Sequence, residues 1–195
     1  MIQEKEQNKE MTAQESLNLI GEMLNNSRRS ILQNSAKYYI FWGALLVAFS
    51  VAIWWLWHST GNPRWNWLWF AMPAIGYPIR AFLSRKEVAV PENTLSKHLG
   101  WIWIAYGVFA VSLALVAMLL VPMPLTLTIV VVLGFAEYLC GILLKNWPVI
   151  VAGFLFGVGG AVAAMMLKSD AQLLLFTFGG LVLVVTGLIL KYQYK

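Results

Sequence analysis

Six apolar runs, each closed by charges or turn residues, divide the chain at 38–57, 65–83, 99–120, 125–144, 148–167 and 171–190. Each is about the 20 residues that an α-helix needs to cross the hydrocarbon core of a bilayer. The connections GNPR at 61–64, VPMP at 121–124, KNWP at 145–148 and KSD at 168–170 are short, so consecutive helices should be antiparallel neighbours. Only the segment 85–97 is long enough for an exposed loop. The pattern predicts an all-α fold, a polytopic bundle of six transmembrane helices over 37–191, preceded by a separate segment 1–36.

That N-terminal segment holds Glu4, Glu6, Glu10, Glu15 and Glu22, five of the nine acidic residues, and no apolar block. It therefore does not read as a cleavable signal peptide. Thr12-Ala-Gln-Glu15 has the spacing of a capping box, in which hydroxyl and carboxylate each satisfy a free backbone N–H at a helix start. An amphipathic helix over about 12–34 would carry Leu17, Leu24 and Ile31 seven apart, with Ile20 on the same stripe. Three things could cover this stripe: the lipid surface, with Arg28 and Arg29 towards head groups; the protein's own loops; or a partner, either a second copy or another cytoplasmic protein. Interfacial helices usually carry Trp or Phe on the buried face, and this stripe has neither.

Composition agrees with a membrane-embedded chain, since 59% hydrophobic and 12% charged residues, with a mean hydropathy of +0.68, lie outside the soluble globular range. The bilayer is thus the first partner. Charge sets the orientation, because Lys and Arg are retained on the cytoplasmic side of short loops. With the N-terminus inside, 12 of the 14 basic residues are cytoplasmic, leaving Arg64 and Lys168 outside. Both termini are then expected in the cytoplasm. The net charge of +5 is accounted for by anionic lipid, without nucleic acid. Tryptophan marks the same boundaries, with Trp54, Trp55, Trp57, Trp65, Trp67 and Trp69 at the outer end of the first two helices and Trp101, Trp103 and Trp147 at the inner one. His58, beside the outer cluster, reads as a hydrogen-bonded anchor rather than a metal ligand.

In lipid, helices associate by close packing, so small residues locate the seams. Ala44, Ala48 and Ala52 form a stripe on the first helix, Gly100, Gly107 and Ala114 on the third, and Gly153, Gly157, Gly160 and Ala164 on the fifth. Gly134 and Gly141 on the fourth helix match Gly180 and Gly187 on the sixth, each pair seven apart, and Trp42-Gly43, Tyr106-Gly107 and Phe156-Gly157 recur on the odd helices. Three helical-hairpin repeats would explain the recurrence; so would chance in apolar sequence. Pro73, Gly76 and Pro78 should kink the second helix.

One carboxylate interrupts the apolar runs. Glu137, in GFAEYLCGILLK, lies about 12 Å inside the cytoplasmic boundary when counted back from Lys145, and Arg80 about 7 Å inside when counted back from Arg85. A charge at such depth requires pairing, protonation or water. Gly134, Glu137 and Gly141 share a helix face, which turns the carboxylate inwards. Glu137, Arg80 and Tyr138 thus form a candidate intramembrane polar site. Its two readings, packing glue and a proton or cation site, both stand. Beyond this, no HExxH, GxSxG, Walker loop or Cys and His constellation is present, and the single Cys140 excludes an intrachain disulfide. Neither an enzyme nor a cofactor or metal is indicated.

The stretches ESLNLIGEMLNNSRRSILQNSAKYYIFWG, GILLKNWPVIVAGF and GLILKYQYK resemble a family of small six-span bacterial inner-membrane proteins of no assigned activity. The resemblance covers most of the chain through apolar motifs of low specificity. It implies a short cytoplasmic N-terminal helix and, since genes of such proteins lie beside small winged-helix regulators, a membrane component of a regulatory or stress-response unit. It transfers no catalytic residue.

Overall fold

A computed structural model of the chain describes residues 13–84, 94–167 and 169–194. Thr12 of the expected capping box, the basic pair Arg85 and Lys86, and Lys168 lie outside the described residues. The elements are α1 (Ala13–Thr60), a 3-10 segment (Pro63–Phe70), α2 (Ala71–Ser84), α3 (Thr94–Leu119), α4 (Leu125–Leu144), α5 (Trp147–Phe154), a π-helical turn (Leu155–Gly159), α6 (Gly160–Met166), a second 3-10 segment (Ser169–Leu173) and α7 (Leu174–Gln193). The fold is all-α, and five helical stretches are long and apolar enough to cross a bilayer: 14–60, 94–119, 125–144, 147–166 and 170–193.

Two features depart from the sequence expectation. No break separates an N-terminal helix from the first span: α1 is a single helix of 48 residues. The reason is local, since 13–60 contains no proline, and Gly21 and Gly43 are tolerated inside a helix whose neighbours are good formers. The expected second span is not one long α-helix but a 3-10 segment of 8 residues followed by the 14 residues of α2. Pro63 opens the first piece and Asn62 caps it, its side chain accepting from the Arg64 N–H at 3.0 Å. At the rises of the two helix types the composite is about 37 Å long, more than the hydrocarbon core. Pro78 sits inside α2, which continues past it.

The largest interface joins α1 and α7, antiparallel, although the two lie at opposite ends of the sequence. Leu32, Ala36, Tyr39, Gly43, Leu46, Ser50 and Ile53 recur at alternating steps of four and three along α1 and face Phe176, Gly180, Leu183, Gly187 and Leu190. A Cβ on Gly43 would lie 2.6 Å from the Gly180 carbonyl oxygen, and one on Gly187 would lie 2.7 Å from that of Ala36. Backbones so close exchange dispersion contacts along their length. Ser50 and Thr177 add a hydroxyl pair across the seam at 2.8 Å. The stripe Ala44, Ala48, Ala52 faces outwards instead, because α7 takes the face three residues round from it.

Two ends of the bundle can be named by their residues. At the His58 end, His58 Nδ1 meets Asp170 Oδ2 at 2.7 Å and stacks on Trp54, tying α1 to the start of the last span. The expected anchor role therefore has its partner, 112 residues away. At the other end, here the Lys145 end, Leu95 and Leu99 of α3 pack with Leu144, Val149 and Leu190. As α1 stops at one end and α3 starts at the other, the composite of 63–84 carries the chain between them. The six sequence-expected tryptophans at the His58 end divide: Trp54, Trp57, Trp65 and Trp69 pack against the core, whereas Trp55 and Trp67 are exposed.

Candidate functional site

The α4–α5 hairpin positions the central carboxylate. Lys145 closes α4 in the left-handed conformation (φ 50°), and the Asn146 N–H donates back to the Gly141 carbonyl at 3.0 Å. Asn146 then opens α5, its Oδ1 accepting from the Val149 N–H at 3.2 Å, with Pro148 in the first turn. One residue thus ends one helix and begins the next, which fixes their register. In that register Gly134 meets Gly157, Gly153 meets the Tyr138 backbone, Gly141 meets Ile150 and Gly160 meets the Val130 side chain. Gly134, Gly141, Gly153, Gly157 and Gly160, expected at seams of the fourth and fifth spans, each meet a neighbour here; Gly107, expected likewise on α3, has nothing within 4 Å of where its Cβ would be. The closest seams pair α4 with α5, consecutive in the chain, and α1 with α7, at its two ends.

Glu137 lies between Gly134 and Gly141 on this packed face and is 3% exposed. It borders a small cleft walled by Leu133, Ala152, Phe156, Gly179 and Leu183, from α4, α5, the π turn and α7. The cleft has room for one water at most. The π turn carries Phe156 into the wall, where its ring occupies the place of a side chain at Gly179. π turns interrupt a helix by one extra residue and are frequent at functional sites.

Neither carboxyl oxygen of Glu137 completes a hydrogen bond. The Tyr39 hydroxyl of α1 faces it at interacting range, short of full hydrogen-bond geometry, and Cys140, 1% exposed, lies beside it with the Trp103 ring of α3 next to the thiol. The sequence-expected partner is elsewhere: the Arg80 guanidinium stands over the Tyr38 ring, 4.9 Å from its centroid, and Arg80 is exposed. Tyr138 is half-buried and contributes its backbone to the α4–α5 seam, not a hydroxyl to Glu137. Of the three candidate polar residues, then, the structure places only Glu137 at the junction, and joins it to Tyr39 and Cys140. Nothing local in KYYIF separates Tyr39, which meets Glu137, from Tyr38, which meets Arg80. Among the described residues no group of three His, Cys, Asp or Glu could hold a metal ion.

The second notable surface is the start of α1. From residue 14 to 26 most positions of this helix are exposed, with Leu17 at 63%, Ile20 at 54% and Leu24 at 46%. Docking begins at Arg28, whose Nε donates to the Leu143 carbonyl at 3.2 Å, one of the oxygens left free at the end of α4. Ile31 and Leu32 then enter the core. Self-docking therefore covers the lower end of the apolar stripe and leaves Leu17, Ile20 and Leu24 open.

Comparison with protein-family models, with curated proteins and with solved structures finds no match to this chain.

Proposed function

We propose that the chain is a non-enzymatic, six-span protein of a bacterial inner membrane, with both termini cytoplasmic, that works by assembly through the projecting start of α1. The observation that carries this reading is the continuity of α1. One rigid helix runs from the α7 seam to an uncovered apolar stripe, so whatever binds Leu17, Ile20 and Leu24 is coupled mechanically to the membrane bundle. The orientation is supported by charge, since Arg28, Arg29, Lys37, Arg80, Lys97, Lys145 and Lys191 lie towards the Lys145 end and Arg64 towards the other. Photo-crosslinkers placed at 17, 20 and 24 of the full chain in native membranes should yield a defined adduct. Its mass separates a second copy from another protein. Adducts to lipid alone would overturn the proposal.

A second reading, a small transporter or channel using Glu137, is supported by that carboxyl's burial without a completed hydrogen bond. Its expected neighbour, α2, takes no part in the Glu137 wall and packs instead on α1, where Gly76 admits the Trp42 ring. Replacing Glu137 with Gln should alter ion or solute flux into proteoliposomes on this reading. Unchanged flux removes it.

A further inference from the structure

We infer that the junction of Glu137, Tyr39 and Cys140 is a proton-binding site, at which the closed bundle holds the Glu137 carboxyl in its neutral form and releases the proton only when the helices packed round it part. The inference concerns the occupant of the site and does not depend on whether anything crosses the membrane.

The two forms of the carboxyl make different demands. An ionised carboxylate seeks several donors or a cation. Here the backbone N–H groups around it belong to helices and are already used. The donors on offer are the Tyr39 hydroxyl and the weakly donating Cys140 thiol. Charged and titratable neighbours can be named element by element. Tyr39 comes from α1 and Cys140 from α4 itself; α3 contributes the non-titrating Trp103 beside the thiol; α5, the π turn and α7 contribute Ala152, Phe156, Gly179 and Leu183. Among the described residues no cation faces Glu137, and Arg80 is engaged with Tyr38.

Other occupants fit worse. A metal ion or Na⁺ needs more oxygen ligands than one carboxyl and one phenol provide. The free space holds one water at most, which excludes a hydrated ion or an organic solute. A proton needs no room. Bound to one oxygen, it removes the charge and supplies a donor that the Tyr39 hydroxyl can accept.

The linkage follows from burial. Glu137 is 3% exposed, so water reaches it only if a helix packed round it moves, and α1, which brings Tyr39 to it, is one of those. The closed form binds the proton and a wetted form holds carboxylate, so raising the pH favours the wetted form. Because α1 is the helix that continues into the exposed stripe, proton release at Glu137 would bear on the position of that arm.

Two measurements on the full chain in lipid bilayers test this. Infrared spectra at neutral pH should show the carbonyl stretch of a protonated carboxylic acid, moved by ¹³C-glutamate labelling and lost in Glu137→Gln. The assignment holds even if that variant folds poorly, because the other glutamates lie in 1–36 and 85–93, outside the apolar runs. Cys140 labelling by a membrane-impermeant maleimide should accelerate with pH more steeply in the wild type than in Glu137→Gln, where only the thiol's own ionisation remains. Absence of the protonated band in labelled wild type overturns the site, and superimposable labelling profiles overturn the linkage to opening.

Discussion

Gly43 and Gly180 stand carbonyl to α-carbon across the α1–α7 seam, each placed so that a Cβ would come within 2.6 to 2.7 Å of the other's oxygen. The relationship joins residues 137 positions apart and holds the first helix to the last. Neither glycine is there for an unusual backbone angle; each is there because any side chain would drive two helices apart.

Gly43→Leu and Gly180→Leu should therefore each cost about 1–3 kcal/mol or prevent folding, since overpacking a tight seam forces the backbones to shift. Gly107→Leu, at a position with open space, should leave stability within about 0.5 kcal/mol of the wild type. Thermal unfolding in detergent, followed by near-ultraviolet circular dichroism, distinguishes the two classes. Equal effects at Gly43 and Gly107 would contradict the seam.

Arg28→Ala removes the donor to the Leu143 carbonyl and should cost about 1 kcal/mol. The effect should be local. Hydrogen exchange should quicken in the last turn of α4 and in α1 around residue 28, with α3 unchanged. A uniform response across the bundle would mean that Arg28 acts by some means other than this bond.

Asn146→Ala removes the cap of α5 and the bond, at 3.4 Å, to the Tyr194 hydroxyl. A lost cap typically costs about 1 kcal/mol, and Asn146 is 3% exposed, so the vacated Val149 N–H cannot turn to water. Asn146→Asp, which keeps the acceptor, should recover part of the loss. Chemical denaturation of the three proteins side by side supplies the test.

His58→Ala should change stability by less than about 1 kcal/mol, although its ring nitrogen lies 2.7 Å from Asp170, because the histidine side chain is 67% exposed and such pairs are weak in water. Raising the salt concentration should erase whatever difference is seen. A salt-insensitive loss of several kcal/mol would show that packing on Trp54, not the ion pair, is what the histidine contributes.

Topology gives a final prediction. In a Cys140→Ser background, cysteines introduced at 62, 122 and 168 should react with impermeant reagent from one side of sealed vesicles, and cysteines at 91, 145 and 195 from the other. If 63–84 does not cross, 91 reacts from the same side as 62, and 122, 145, 168 and 195 each exchange sides relative to 62.

What the sequence by itself determined is the class of element and its length. Hydrocarbon accepts only backbone whose hydrogen bonds are closed internally, so runs of about 20 apolar residues had to be helices, and their ends were marked by Asn146, Pro148, Lys145 and similar residues. The inward turn of Glu137 was also legible, because Gly134 and Gly141 share its face at helical spacing. Only the tertiary structure decided which helices meet. Apolar side chains are as content with lipid as with one another, so hydrophobicity does not rank partners, and small stripes such as Ala44, Ala48, Ala52 look like seams whether or not another helix lies on them. For the same reason the neighbour of Glu137 could not be chosen between Arg80 and Tyr39. Depth along the membrane was readable from residue counts, but azimuth around the bundle was not, and α2 carries Arg80 to Tyr38 while α1 carries Tyr39 to Glu137.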